Sequence, residues 1–409
     1  MKTYLNLSHL LIIILCTQIN YAQWGQQTSG TSSQLNSVYF IDANVGWATG
    51  FDGIILKTTN GGTNWVTMTS GTTTHLYSIF FADASTGWVV GSSGTNGGTI
   101  LKSTNAGSSW TEQNSGVGPG FNLVYFVDLN VGWAVGDNGV IVKTYDGGTN
   151  WIQQTSGTNS GIRGAHFIDT NFGWAVDENA DVLKTTNGGS NWITYPSGTI
   201  NWLRSVFFID SNVGWVAGDN GTILKSTDSG LNWTNQNIGV SGNLNSINFS
   251  DQNTGWVVGT QGIFRTSNGG SAWINQVSST TLFSVCFVDQ YSGWAVGENG
   301  TIFHTTNGGV LFVEEQEIDE VPTAFVLSQN YPNPFNPSTK IKYSIPQSSN
   351  VLIKVFDILG NEIETLIDEE KQTGTYEITW YAVNLQSGIY FYRFQAGDFT
   401  EIRKMILIK

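Results

Sequence analysis

Residues 203–233 read LRSVFFIDSNVGWVAGDNGTILKSTDSGLNW. The segment falls into short extended runs at Leu203–Phe208, Gly214–Ala217 and Thr222–Lys225, and a fourth run follows from Asn232 to Asn235. Between them lie turn residues, and Asn220-Gly221 is a pair that favours the positive φ of a tight primed hairpin. The same pattern recurs along the chain. A Gly-Trp pair ends in Trp47, Trp88, Trp133, Trp174, Trp215, Trp256 and Trp294, at spacings of 41, 45, 41, 41, 41 and 38. Unit two is longer by four, with the extra residues in the turn-rich stretch from Ser92 to Gly98, where a hairpin loop absorbs them at little cost. Four short strands per repeat of about 41 residues, seven times over, specify an all-β chain built on a seven-bladed β-propeller.

A second tryptophan follows the first in six units, at Trp65, Trp110, Trp151, Trp192, Trp233 and Trp273. Trp24 precedes Trp47 by 23 residues, the interval that separates Trp65 from Trp88, so it is a second tryptophan without a blade of its own. Unit seven has Phe312 where that tryptophan belongs. The reading is that the N-terminal strand, residues 23–29, completes the seventh blade and removes the open edge of the ring. The alternative uses residues 310–313 as that strand.

The chain has 409 residues, 13% aromatic and 12% charged, with a net charge of -14. That balance argues against nucleic acid or an anionic membrane surface as partner. Lys2, the apolar run Leu10–Leu15 and the polar end Asn20-Tyr21-Ala22 read as a signal peptide over residues 1–22, cleaved between Ala22 and Gln23. Lipidation at Cys16 is the alternative, opposed by the bulky Leu15 before it. After cleavage only Cys286 remains, so no intrachain disulfide can form and packing must supply the stability. No transmembrane segment is expected in the mature chain, because no stretch approaches 18 apolar residues. A monomer is expected.

Past residue 313 the composition changes. Five of the seven prolines lie between Pro322 and Pro346, and only four of the 49 glycines lie beyond Phe312. Residues 314–324 read as an acidic linker and 325–409 as a small Ig-like β-sandwich of alternating strands. Asn330-Tyr-Pro-Asn-Pro-Phe-Asn-Pro-Ser338, Phe356-Asp-Ile-Leu-Gly360, Trp380 and Ser387-Gly-Ile-Tyr-Phe-Tyr-Arg393, with the end Lys404-Met-Ile-Leu-Ile-Lys409, resemble a type IX secretion (Por) type A sorting domain. That resemblance implies a Gram-negative host, passage through the periplasm, recognition by the type IX machinery, and a cargo left on the cell surface or released. An ordinary adhesive Ig-like domain is the alternative.

The third turn of each unit carries an Asx, then a Gly, then the second Trp: Asn60 with Trp65, Asn105 with Trp110, Asp146 with Trp151, Asn187 with Trp192, Asp228 with Trp233, and Asn268 with Trp273. These resemble the Asp-boxes (BNR repeats) of sialidase-like propellers. They read as structural, since the Asx side chain accepts backbone N–H groups while Gly takes the positive φ. The whole unit pattern also resembles the photosystem II stability/assembly factor family, which implies a protein-binding scaffold. The propeller has only eight Lys and Arg residues, however, and an outward-directed secretion tag.

Six of those cations hold one repeat position, Lys57, Lys102, Lys143, Lys184, Lys225 and Arg265. They form either a ring attractive to an anionic ligand or, as the plainer reading, heads that meet the repeated Asp42, Asp83, Asp128, Asp169, Asp210, Asp251 and Asp289. The other two, Arg163 and Arg204, sit at the start of the first strand in adjacent units. With Trp202 and His166 they are the candidate partner-binding residues at the channel mouth. A sialidase site would need three converging arginines, a tyrosine with a nearby glutamate, and an acidic acid/base residue. The sequence supplies these poorly, so no catalytic, cofactor-binding or metal residue is assigned. The expectation is a secreted, non-enzymatic propeller that binds an extracellular protein or glycan. The runner-up readings are a divergent sialidase-like glycoside hydrolase and an assembly-factor-like scaffold.

Overall fold

The computed structural model describes residues 24–92, 97–309, 322–382 and 385–408. The signal segment with Ala22 and Gln23, the tip of the unit-two insertion, and residues 310–321 lie outside these. The chain divides into two compact units, Met1–Phe312 and Val313–Lys409.

The first unit contains seven four-stranded antiparallel sheets. The innermost strand of each blade touches that of the next, and blade 7 touches blade 1, so the sheets form a closed ring. In blade 7, Leu282–Phe287, Gly293–Gly297 and Ile302–Thr305 are joined by Gly25–Gln27, with Gly25 opposite His304 and Gln27 opposite Ile302.

The Gly-Trp pair is the joint between blades. The phenylalanine that ends each inner strand lies flat on the tryptophan of the preceding blade: Phe208 on Trp174 at 3.6 Å, Phe81 on Trp47 at 3.5 Å, and Phe40 on Trp294 at 3.5 Å across the closure. The glycine makes room for it, since a Cβ on Gly214 would stand 2.6 Å from the Phe208 ring. These seven tryptophans are fully buried, and each indole N–H needs an acceptor when water is excluded. They find it in the third turn of the following blade: Trp174 donates to Ser229 O at 3.0 Å, and Trp294 to Gly61 O at 3.1 Å.

That turn is the Asp-box. In blade 5, Asp228 Oδ1 accepts from the backbone of Asn232 at 2.9 Å and from Ser226 Oγ at 2.8 Å, while Ser226 Oγ accepts from Gly230 N at 2.8 Å. The second tryptophan then caps the phenylalanine edge-on, as Trp233 does Phe208 at 5.9 Å. Trp24 meets Phe287 in the same way at 5.6 Å, as the closing strand requires.

The repeated cations differ from the plainer expectation. Their heads lie over the first tryptophan of their own blade, Lys143 at 4.6 Å from the Trp133 ring and Lys225 at 5.0 Å from Trp215. Lys143 Nζ also donates to Gly188 O at 2.9 Å and Lys225 Nζ to Gly269 O at 3.1 Å, in the next blade's Asp-box. The repeated aspartates are engaged elsewhere: Asp42 Oδ1 accepts from Asn44 N and Val45 N at 2.7 and 2.8 Å, closing its own turn. For Lys143 and Lys225 the indole face and the carbonyl together stand where the carboxylate was expected.

The second unit is an antiparallel β-sandwich. One sheet holds Val326–Leu327, Ser338–Ile345 and Gly374–Tyr381; the other holds Glu362–Lys371, Ser349–Phe356, Gly388–Ala396 and Phe399–Leu407. Tyr343, Trp380, Tyr392 and Phe394 fill the core between them.

Candidate functional site

Side chains of the inner strands form layers around the channel, and their identity departs from repeat symmetry. At the start of these strands stand Asn36, Tyr77, Asn122, Arg163, Arg204, Asn245 and Phe283. The three asparagines bind the neighbouring blade, donating to Leu76 O at 2.8 Å, Ile162 O at 3.0 Å and Leu282 O at 2.7 Å.

The arginines replace them in blades 4 and 5. Arg163 Nε donates to Glu178 Oε1 at 2.7 Å and Nη2 pairs with the same oxygen, while Nη1 reaches Asn122 Oδ1 at 3.1 Å and lies 3.8 Å from Asp137 Oδ1. Arg204 pairs with Asp219 Oδ1. In both blades the acid follows the arginine by 15 residues, at the turn after the second strand. These partly buried ion pairs are shielded from solvent better than surface pairs, and they hold both carboxylates as fixed acceptors.

Trp202 lies in the loop entering blade 5, 45% exposed, and its carbonyl accepts from Asp219 N at 2.9 Å. Beside it Ile200 is 95% exposed. An amide row continues from there: Asn201 Nδ2 donates to Thr222 Oγ1 at 2.8 Å, and Asn220 Nδ2 to Asn201 Oδ1 at 2.9 Å. Arg204, Asp219 and Trp202 therefore share one rim. His166 does not join them. It lies three residues further along its strand, with its contacts to Tyr125 Oη at 3.4 Å, the Phe207 ring at 4.8 Å and Phe208 N at 3.4 Å.

His166 belongs to a deeper layer with Tyr39, Phe80, Tyr125, Phe207, Asn248 and Cys286, each opposite the first tryptophan of its blade. Tyr39 and Phe80 are 4.7 Å apart, Phe80 and Tyr125 5.3 Å, and Tyr125 and His166 5.2 Å, an aromatic arc around most of the ring. Burial pushes the His166 imidazole down to about 4, the Tyr125 phenol up to about 12 and the Cys286 thiol up to about 11. At neutral pH each is uncharged, so the arc offers neither a thiolate nor a charged imidazole.

Blade 4 carries a feature that the sequence reading missed. Asp177 stands where the other blades have Gly50, Gly91, Gly136, Gly218, Gly259 and Gly297. It is fully buried, with Oδ1 accepting from Asn179 N and Asp181 N at 3.0 Å each and Oδ2 from Thr158 Oγ1 at 3.0 Å. The signal was legible as Gly-Trp-Ala-Val-Asp in place of Gly-Trp-Ala-Val-Gly. Thr158, Asn179 and Asp181 border an open polar groove of about 420 Å³, where burial and then Asp177 raise the Asp181 carboxyl above its usual range. Among the described residues no cluster of three His, Cys, Asp or Glu side chains is placed to hold a metal ion, and no helix is long and apolar enough to cross a membrane.

Residues 329–409 match the secretion system C-terminal sorting domain, and residues 16–116 and 198–282 match the photosynthesis system II assembly factor YCF48. The propeller resembles YCF48 over those segments, and the C-terminal unit matches a secretion sorting domain. Among solved structures, a YCF48 bound to a D1 peptide is similar at 19% identity and TM-score 0.61, covering 70% of this chain and 96% of that one. YCF48 from Cyanidioschyzon merolae is similar at 20% and 0.59, covering 69% and 99%. The GH74 enzyme of Niastella koreensis is similar at 16% and 0.57, covering 79% of this chain and 59% of the enzyme. At these identities the likeness is one of fold. No curated protein sequence matches the chain.

Proposed function

We propose that the propeller is a non-catalytic binding module, carried out of the cell by its sorting domain, that holds an extracellular protein or glycan on the rim of blades 4 and 5. One observation carries the reading: repeat symmetry breaks on this rim, where ion-paired Arg163 and Arg204 flank the channel and Trp202 and Ile200 stand exposed beside an amide row. An exposed indole with convergent polar groups suits recognition, because the apolar ring supplies contact area while the fixed polar groups orient the ligand.

At the Arg163 and Arg204 rim the carboxylates are already engaged, which disfavours hydrolysis there. A glycosidase needs one carboxylic acid and one carboxylate free to reach the sugar. Glu178 and Asp219 are each held by an arginine, and Asp177 is spent on its own turn. The test is to incubate the full chain with a broad glycan array and with surface proteins of the producing cell, measuring retention and release of reducing sugar together. Retention without release is expected. Sugar release by the purified protein would replace this reading with the glycosidase one.

A further inference from the structure

We infer that the ligand of the rim is a neutral oligosaccharide, laid over blade 4 between a polar groove on one side and the indole of Trp202 on the other. This rests on the binding rim proposed above, whose partner it narrows to one chemical class.

The chain enters blades 4 and 5 in the same way. Glu178 N donates to Gly161 O at 3.1 Å in blade 4, as Asp219 N does to Trp202 O at 2.9 Å in blade 5. Ser197 Oγ, at the start of the second entering loop, donates to Ala180 O. The turn Glu178–Asp181 therefore lies between the loop 157–161 and the loop 197–202. On the first side is the groove of about 420 Å³, and on the second stand Ile200 and Trp202. Blade 4 is polar here where others are apolar: Asp181 precedes Lys184 by three residues, as Val140 precedes Lys143 and Ile54 precedes Lys57. Asn159, Ser160, Asn179, Asp181 and Thr194 line the groove. Among the described residues none of these five side chains is hydrogen-bonded within the protein, since the bonds of Ser160, Asn179 and Asp181 are made by their backbone N–H groups. Amides and hydroxyls both donate and accept, and a carboxylate accepts, so the set matches a ligand dense in hydroxyl groups.

Charge excludes an acidic ligand. Arg163 and Arg204 are closed on Glu178 and Asp219, Asp137 shares Arg163 at 3.8 Å, and the other six propeller cations lie over the first tryptophans. Asp181 adds a carboxylate without a counter-ion, which repels sulfated and uronic sugars. For a basic ligand it is the one charged group among lining side chains that are otherwise neutral. A protein partner is matched no better. Specific protein interfaces cover about 800 Å² per side around an apolar core. Among the described residues, Ile200 and Trp202 are the only large apolar side chains exposed on the loops of this end. One indole beside amides suits a pyranose, whose C–H face lies on the ring while its hydroxyls meet Asn201 and Asn220. The groove and the indole stand on opposite flanks of the turn, so a ligand using both is a chain of sugars.

The experiment applies the full chain to neutral glycans, from monosaccharides to hexasaccharides, beside sialylated, sulfated, uronate-bearing and free-amino glycans. Surface proteins of the producing cell are offered in parallel, and wild type is compared with Trp202→Ala and Asn159→Ala/Asn179→Ala. Retention of neutral chains, tightening with length and weakened about tenfold or more in each variant, is expected. The replaced side chains are exposed, so thermal midpoints should stay near wild type. Retention of charged glycans instead, silence across the glycans, or wild-type binding by the double asparagine variant would overturn the inference. A surface protein retained in place of any glycan, and lost in Trp202→Ala, would overturn it while the rim reading stands. A ligand held equally by wild type and both variants would remove the rim reading itself.

Discussion

Replacing Gly214 by alanine tests how the blades are joined. A Cβ there would stand 2.6 Å from three atoms of the Phe208 ring, about 1 Å inside ordinary carbon–carbon contact. The ring cannot retreat, because its other face lies 3.6 Å from Trp174 and Trp233 caps its edge. Trp174 is in turn fixed by its bond to Ser229 O. Overpacking of this kind costs about 1–3 kcal/mol, and with both escape routes closed the upper end is expected. At a urea slope of about 3 kcal/mol per M this is a fall in midpoint of up to about 1 M. Tryptophan fluorescence is the natural probe, since 15 of the 16 tryptophans precede residue 313. The control is Gly118→Ala, where nothing lies within 4 Å and φ is not positive; it should be neutral or stabilising by up to about 1 kcal/mol. Adding Phe208→Leu to Gly214→Ala should recover part of the loss through a coupling of about 1 kcal/mol. Equal midpoints for wild type, Gly214→Ala and Gly118→Ala would refute the joint.

Other perturbations follow from the same geometry. His166 titrates near 4 in the folded protein and near 6.5 unfolded, so the unfolded chain binds the extra proton between those values and stability falls as pH drops through the window, by up to about 1.4 kcal/mol per unit. His166→Phe, which restores the residue found in blades 2 and 5, should remove that part of the slope in urea titrations from pH 7 to 4. Trp24→Ala empties the seat against Phe287 in the closing blade and should cost about 3–5 kcal/mol by the same fluorescence assay. Asp177→Ala leaves Asn179 N, Asp181 N and the Thr158 hydroxyl without their acceptor, so a loss of about 1–3 kcal/mol is expected in thermal unfolding.

The propeller was legible because its defining contacts are local or repeat-periodic. An Asx-to-Gly turn states its own hydrogen bonds, and each Gly-Trp pair states a stacking partner one blade away. The rim was only half legible. Arg163 and Arg204 stood out as breaks in the pattern, yet their acids were readable only by noticing that Glu178 and Asp219 follow at equal distance. His166 was grouped with them because it is polar and close in sequence, whereas the alternation of the strand carries it into the aromatic arc. The lysine row was assigned to the aspartates because opposite charges invite pairing. The indole face and the Asp-box carbonyl of the next blade took those heads instead, a contact between blades that no single repeat displays.

The most direct test of the binding rim is equilibrium binding of the full chain to whichever glycan or surface protein it retains, compared with Arg204→Ala and Trp202→Ala. Truncating an exposed indole or an ion-paired arginine at the centre of an interface costs about 2 kcal/mol or more, so Kd should rise by about 30-fold while the unfolding midpoint of Trp202→Ala stays near wild type. Wild-type Kd in both variants would show that the partner binds elsewhere on the propeller.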